Sequence, residues 1–349
     1  MVIEVIRRVM VAERRECLPL KIKKHLAMKS GLAGAIRISF PFSTYCNETR
    51  AYTSGNVHSH HRGDFSVLDP KLDLGELEVS LENRYVELQS LRAGGQGVVF
   101  SAKRTLNSRR ECVDDHVALK IHSGATENVR VDREIAALQG FDHPCLATLV
   151  EHGTLSLNGE QYRYVAWRFI HGTALDERLK GGPISAKAVA CVGRDVARAI
   201  DHIWQKRIVH RDINPKNIML SPREDSAVLI DLGVARFLDL RVLTAAGRTW
   251  GTPGYFSPEQ WYGPGENLTC HSDVFTLGVS LQEALLGRHP TLGDQETLLN
   301  SRTPTSTLCP TAPAALAAII DSCLHPRPVF RPMPSALASD LARLAADLL

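Results

Sequence analysis

The chain runs to 349 residues and 38.4 kDa, room for one large two-lobed domain or two ordinary ones. Apolar residues make up 44% and charged residues 23%, close to the globular average, which excludes disorder throughout and fibrous repeats. The net charge of +3 hides an asymmetry: residues 1–64 carry 11 Lys/Arg against 5 Asp/Glu, and the remainder carries 30 against 33.

The basic excess therefore belongs to the N-terminal segment. Residues 1–80 are expected to form a solvated, basic extension without an assigned role. The charge of residues 1–64 suits a weakly held anionic partner, such as a membrane surface, but no specific nucleic acid is expected. Val2, Val5, Ile6 and Val9 fall on one helical face, yet the stretch lacks the uncharged apolar run and cleavage site of a signal peptide. No window offers the roughly 18 apolar residues of a membrane span. His58, His60 and His61 have no partner Cys or acid at metal spacing and read as a polar loop. The eight Cys contain no C-x-x-C pair, which predicts reduced thiols in a cytoplasmic protein.

From about residue 84 the texture changes. Tyr85-Val86-Glu87-Leu88 alternates as a strand should, Gly94, Gly95 and Gly97 interrupt, and Val98-Val99-Phe100 resumes. A third strand is expected over 116–121. A helix follows near 127–139, with Val131, Ile135 and Leu138 on one face, then strands over 149–155 and 162–169. After His171-Gly172 the pattern turns helical, over 185–205, 272–286, 313–323 and 334–348. Strands first and helices second, without βαβ alternation, predict an α+β fold in two lobes. Residues 301–313, dense in Thr, Ser and Pro, read as a long surface loop.

Three segments carry chemistry. Residues 92–97 read R-A-G-G-Q-G, near the G-x-G-x-x-G spacing whose backbone N–H groups approach phosphates, although a glycine-rich hairpin turn is the commoner cause of such a cluster. In Val117-Ala118-Leu119-Lys120, Ala118 and Lys120 share one strand face, leaving room for a flat base beside a cation. Glu134, within an apolar stripe, would hold that ammonium in place. The third segment is His210-Arg211-Asp212-Ile213-Asn214-Pro215-Lys216-Asn217, followed by Leu229-Ile230-Asp231-Leu232-Gly233. An Asp, an amide five residues later and a second Asp 14 further on supply a base and two oxygen ligands for Mg²⁺.

Residues 84–349 resemble the eukaryotic-type (Hanks-type) protein kinase domain over essentially its full length. H-R-D-I-N-P-K-N is similar to the catalytic loop, and D-L-G-V-A-R to the metal-binding start of the activation segment. G-T-P-G-Y-F-S-P-E, residues 251–259, resembles the end of that segment, in a form familiar among bacterial members. Ser272–Gly278 resembles the central helix, whose Asp273 would steady the catalytic loop, and Arg331 the late arginine that pairs with Glu259.

The resemblance implies a small antiparallel sheet lobe with one main helix and a hinge, residues 81–171, and a larger helical lobe, residues 172–349. It implies ATP with Mg²⁺, or Mn²⁺ as a substitute. Asp212 would be the catalytic base, Lys120 would contact the phosphates and pair with Glu134, and Asn217 and Asp231 would hold the metal. Gly94, Gly95 and Gly97 would cover the phosphates. Val99, Ala118 and Met219 would sandwich adenine, with Trp167 behind it and the hinge at 168–170, including Phe169 and Ile170. Leu138, Leu232 and His210 would stack into a spine linking the lobes.

Two departures from the family pattern stand out. Arg92 replaces the first loop glycine. Asn214 stands where Ser/Thr members usually carry Lys, so Lys216 is the candidate cation for the γ-phosphate, and strict Ser/Thr preference versus dual specificity stays open. Thr252 supports Ser/Thr preference. Arg211 and Arg236 suggest an anion-seeking pair that phosphorylation of Thr244 or Thr249 would satisfy. The implied activity is γ-phosphoryl transfer from ATP to protein Ser/Thr hydroxyls, with autophosphorylation and an unidentified protein substrate. The alternatives are a pseudokinase-type binding module and a small-molecule phosphotransferase.

Overall fold

A computed structural model describes residues 74–94, 97–105, 112–122, 135, 141–232, 236–237, 251–263 and 268–348, with 94, 112–115 and 236–237 described by backbone alone. The first elements are a short helix α1 (Leu74–Ser80) and five strands: β1 (Tyr85–Gly94), β2 (Gly97–Thr105), β3 (Cys112–His122), β4 (Leu149–Leu157) and β5 (Glu160–Arg168). The strands form one antiparallel sheet in the order β1-β2-β3-β5-β4. Period-two alternation decides which face each side chain takes. Val117, Leu119 and Ile121 enter the outer core with Phe100, Tyr85 and Tyr164, while Ala118 packs against the core of the helical part.

The outer core reaches further back than the sequence suggests. Leu77 on α1 and Leu81 just beyond it are fully buried in that cluster, so the packed unit includes residues expected to belong to the extension. The expected helix near 127–139, including Val131, Glu134 and Leu138, lies outside the described residues except for Ile135, which is helical and buried.

Short strands β6 (Thr173–Ala174), β7 (Ile208–Val209), β8 (Ile218–Leu220), β9 (Ala227–Leu229) and β10 (Arg236–Phe237) line the helical part. Its helices are α2 (Leu175–Leu179), α3 (Ala186–Gln205), α4 (Pro258–Trp261), α5 (Cys270–Leu286), α6 (Gln295–Asn300), α7 (Thr305–Leu308), α8 (Ala314–Cys323) and α9 (Pro334–Asp347). Ser185 caps α3, its hydroxyl accepting from the Ala188 N–H. Val189, Val192, Val196, Ile200 and Ile203 bury one stripe of α3 completely. Gly193 permits close helix packing: a Cβ there would lie 2.6 Å from Leu341 on α9 and 3.0 Å from Leu281 on α5. No described helix is long and apolar enough to cross a membrane.

Residues 301–313 correct one expectation. Rather than a simple surface loop, they contain α7, whose Thr305 is 1% exposed. The Asp321 carboxylate on α8 takes both the Thr305 N–H, at 2.9 Å, and its hydroxyl, at 2.6 Å, while Gln282 donates to the same hydroxyl. A distant acid thus organises a segment whose composition favours turns.

Candidate active site

The two parts face each other across a cleft with two adjoining hollows. One, of about 400 Å³, is lined by Val99, Ala118, Trp167, Phe169, Ile170 and Met219 among others. The other, of about 230 Å³, is lined by Gly97, Lys120, Asp212, Lys216, Asn217, Asp231 and Thr252 among others. The first is mostly apolar and of the size that holds a small ligand; the second concentrates the charge. The strand faces read from sequence place these groups: Ala118 pairs in register with Trp167, and Lys120 with Val99 on one side and Val165 on the other.

The catalytic-type loop is held from below. Asp273, in the first turn of α5 and fully buried, accepts the N–H of His210 and of Arg211, each at 2.8 Å. Burial pushes its pKa up to about 6, against the opposing pull of His210 and the two backbone bonds. Arg211 adopts φ 75° and Asp231 φ 62°, left-handed conformations unfavourable for side-chain-bearing residues; Asp231 lines the charged hollow, and Arg211 directly precedes Asp212, which lines it too. The His210 ring accepts the Asp212 N–H at Nδ1, which leaves Nε2–H to donate to the Ile230 carbonyl at 3.3 Å. The β8–β9 hairpin completes the frame, with the Ile230 N–H on the Asn217 carbonyl.

Asp212 is the focus of this frame. Thr252 donates to its Oδ1 at 2.6 Å, Asn214 Nδ2 to the same oxygen at 2.9 Å and Asn217 Nδ2 to its Oδ2 at 3.3 Å. Asn214 also reaches Thr252, at 3.2 Å, and the Asp212 carbonyl. Burial raises the Asp212 pKa; the Thr252 hydrogen bond and His210 oppose that, and the charge of Asp231 adds to it. Lys120 Nζ lies 3.5 Å from Asp231 Oδ1 and is almost wholly buried. Asn217 spends its N–H donors on Asp212, which leaves its carbonyl oxygen, with the Asp231 carboxylate, as hard oxygen donors suited to Mg²⁺.

The segment from 251 is clamped separately. Gly251 has φ 128°, and a Cβ there would lie 2.7 Å from the Arg211 carbonyl, so the segment can pass the loop this closely only with glycine. Glu259, on α4, forms a two-bond pair with Arg331 at 2.6 and 3.0 Å and accepts the Ser272 hydroxyl at 2.7 Å. Burial alone would raise the Glu259 pKa, but Arg331 and Ser272 outweigh it and hold it below the usual carboxylate value. The Arg331 guanidinium also donates to three backbone carbonyls and lies 4.9 Å from the Phe275 ring centre.

The structure thus brings together Lys120, Asp212, Asn214, Lys216, Asn217, Asp231 and Thr252, and joins Glu259 to Arg331. Gly95, Glu134, Thr244 and Thr249 lie outside the described residues, as does the Arg236 side chain, and only the β10 backbone of Arg236 is seen, paired with Val209. Leu232 and His210 of the expected spine are both buried. Sequence reading missed Gln260, whose amide donates to the Arg211 carbonyl, and Gln295, which accepts from Gly254 and Phe256 and donates back to Phe256. The S-P-E-Q run could have revealed Gln260 as the fourth member of a capping box with Ser257. Asp294, the cap of α6, was the only signal for the helix bearing Gln295.

Comparison with known proteins matches residues 85–340 to the family model described as the protein kinase domain. The serine/threonine-protein kinase PknD of Mycobacterium tuberculosis is 33% identical over 279 residues, which cover 76% of this chain and 40% of PknD. PknA of the same species is 28% identical over 262 residues, covering 72% of this chain and 59% of PknA. The serine/threonine-protein kinase pkn2 of Myxococcus xanthus is 29% identical over 216 residues, covering 60% of this chain and 25% of pkn2. The chain therefore spans less than two thirds of each of these relatives. The sheet-and-helix architecture, the loop around Asp212 and the matched span agree: the chain belongs to the protein kinase domain family.

Proposed function

We propose that this chain is a protein serine/threonine kinase that moves the γ-phosphoryl group of ATP to a protein hydroxyl. The observation that carries this reading is the bonding of Asp212. Two amides and Thr252 fix its carboxylate at the meeting point of the charged hollow and the segment that ends in the Glu259–Arg331 clamp. A carboxylate so oriented can accept or align the proton of an attacking hydroxyl. The clamp supports a peptide acceptor, since a small-molecule phosphotransferase has no need of it.

On this reading adenine lies between Val99 and Ala118 above and Met219 below, with Trp167 behind and residues 168–170 as the hinge. Gly94, Gly95 and Gly97 cover the phosphates. Lys120 holds them from the sheet side, steadied by Asp231, with Glu134 as its expected second partner, and Lys216 stands exposed at the γ-phosphate end. Asn217 and Asp231 hold Mg²⁺, or Mn²⁺, which when bound neutralises phosphate charge. The work of the protein is positioning and charge stabilisation. The free thiols at Cys145, Cys191, Cys270, Cys309 and Cys323 suit a reducing cytoplasm.

The test is transfer of labelled phosphate from [γ-³²P]ATP to the chain itself, to a generic protein and to small hydroxyl compounds, beside Asp212→Asn. Transfer to protein that drops roughly 10²–10⁴-fold in Asp212→Asn is expected. Transfer undiminished by that substitution, or confined to small molecules, overturns the reading, and ATP binding without any transfer marks a pseudokinase.

A further inference from the structure

Arg92 lies on β1, above the cleft, where the family pattern has glycine. Its side chain crosses to the opposite wall. Nη2 is 3.8 Å from Asp176 Oδ2, and Nη1 donates to the Lys216 carbonyl at 3.5 Å. Asp176 belongs to the first turn of α2 and Lys216 to the 3₁₀ turn of the catalytic-type loop, both in the helical part. All three residues line the larger hollow. The pair stands at its rim, with Arg92 half exposed and Asp176 about a quarter exposed.

The other oxygen of Asp176 behaves differently. Oδ1 is buried and has no hydrogen-bond partner among the described residues. A buried acceptor without a donor is unfavourable, and a hydroxyl of a ligand in the hollow can supply that donor. It can do so without displacing Arg92, which faces Oδ2. The acid can therefore hold the arginine and a bound ligand together.

Deeper in the same cleft, Lys120 and Asp231 make a second ion pair between the two parts. One pair crosses at the floor and the other at the rim. A nucleotide lying between them leaves past Arg92. Glycine at position 92 would have no side chain to make that contact.

Resting on the reading of the cleft as a nucleotide site, we propose that Arg92 is a positioning residue that closes the rim over bound nucleotide, through Asp176 and the Lys216 carbonyl, and so slows nucleotide release. Release requires the rim contact to break, so its contribution falls on the dissociation rate. A partly exposed ion pair is weak, and the expected effect is correspondingly modest, about two- to five-fold.

The experiment follows dissociation of a fluorescent N-methylanthraniloyl-ATP from the full chain by stopped flow, for the unsubstituted protein, Arg92→Gln, Asp176→Asn and the double variant. Each single substitution is expected to raise the release rate about two- to five-fold, and the double variant no more than the larger single effect, because each single variant already lacks the Arg92–Asp176 contact. The ratio of Arg92→Gln to unsubstituted rates should fall toward one as salt rises to about 0.5 M, and Arg92→Lys should recover part of the slow release. Unchanged release in Arg92→Gln, or effects that simply add, overturns the latch while leaving the nucleotide site intact. Failure of the unsubstituted chain to bind the nucleotide overturns the site itself, and the latch with it.

Discussion

The carboxylate of Asp273 lies directly beneath the loop that carries Asp212, one oxygen on the His210 N–H and the other on the Arg211 N–H, both at 2.8 Å. This link joins α5, the most buried of the described helices, to the backbone that aims the candidate base. It also holds Arg211 in its left-handed conformation, which the chain would otherwise abandon.

Asp273→Asn replaces two acceptors with one and turns an NH₂ group toward the remaining N–H. The expected loss is about 1–3 kcal/mol of stability, with a larger fall in phosphoryl transfer because the loop is released. The pH dependence has a definite sign. Burial raises the Asp273 pKa from 3.8 to about 6, so the folded state favours the protonated acid more than the unfolded state does. The stability this gives is full below pH 3.8 and is lost as the pH rises through about 6. Asparagine does not titrate, so the stability gap between the two proteins should narrow between mildly acidic and neutral pH. Urea unfolding at both pH values measures it, and a gap that widens with pH contradicts burial as the dominant influence.

The Glu259–Arg331 pair should show the opposite sign. Its carboxylate is held below the usual range, so the stability it contributes is present above the ordinary glutamate pKa and is lost as pH falls through the folded-state value. Glu259→Gln leaves a guanidinium with no exposed side-chain surface facing a neutral amide. The expected cost is about 3–5 kcal/mol, and Glu259→Gln combined with Arg331→Met should recover a substantial part of it, because an apolar pair leaves no stranded charge. Thermal unfolding of the three variants decides the matter; a double variant no more stable than Glu259→Gln would assign the loss to packing instead.

Lys120→Met tests the floor of the cleft. The strand carrying Lys120 buries Val117, Leu119 and Ile121 on its far face, and methionine keeps the length of the lysine stem. The fold should survive with a similar melting temperature while phosphate transfer is lost. Transfer at the unsubstituted rate would mean that another cation holds the phosphates.

These tests also separate what the sequence discloses from what it hides. The groups from His210 to Asn217, with Asp231, were legible because one loop and the hairpin after it carry them at fixed spacing. The Lys120 face was legible because strand alternation admits only two choices. Gln295 and Thr305 were not legible. Each acts through hydrogen bonds to partners 16 to 41 residues away, and nothing in their neighbours distinguishes them from ordinary surface polar residues. Asp176 was missed for a related reason: its partner Arg92 lies 84 residues earlier and crosses the cleft to meet it. Leu77 and Leu81 were hidden because the stretch before them has little periodicity, although they belong to the same core as Tyr85 and Tyr164.

Thr252 offers the sharpest test of how the segment from 251 meets the candidate base. Its hydroxyl donates to Asp212 Oδ1 at 2.6 Å and receives Asn214 Nδ2 at 3.2 Å, so one side chain joins the segment, the base and the residue that departs from the usual lysine. A hydrogen bond to a carboxylate contributes about 1.5–3 kcal/mol. Thr252→Val keeps the shape and removes the hydroxyl, which should lower kcat/KM for protein phosphorylation by roughly 10- to 100-fold. Thr252→Ser keeps the hydroxyl and should retain most of the activity. The affinity for ATP should change little in either variant, because the adenine-sized hollow is lined by other residues. Steady-state kinetics with a protein acceptor, beside ATP titration, reads both quantities. Full activity in Thr252→Val would show that Asn214 and Asn217 orient Asp212 without help, and that the segment meets the base by packing alone.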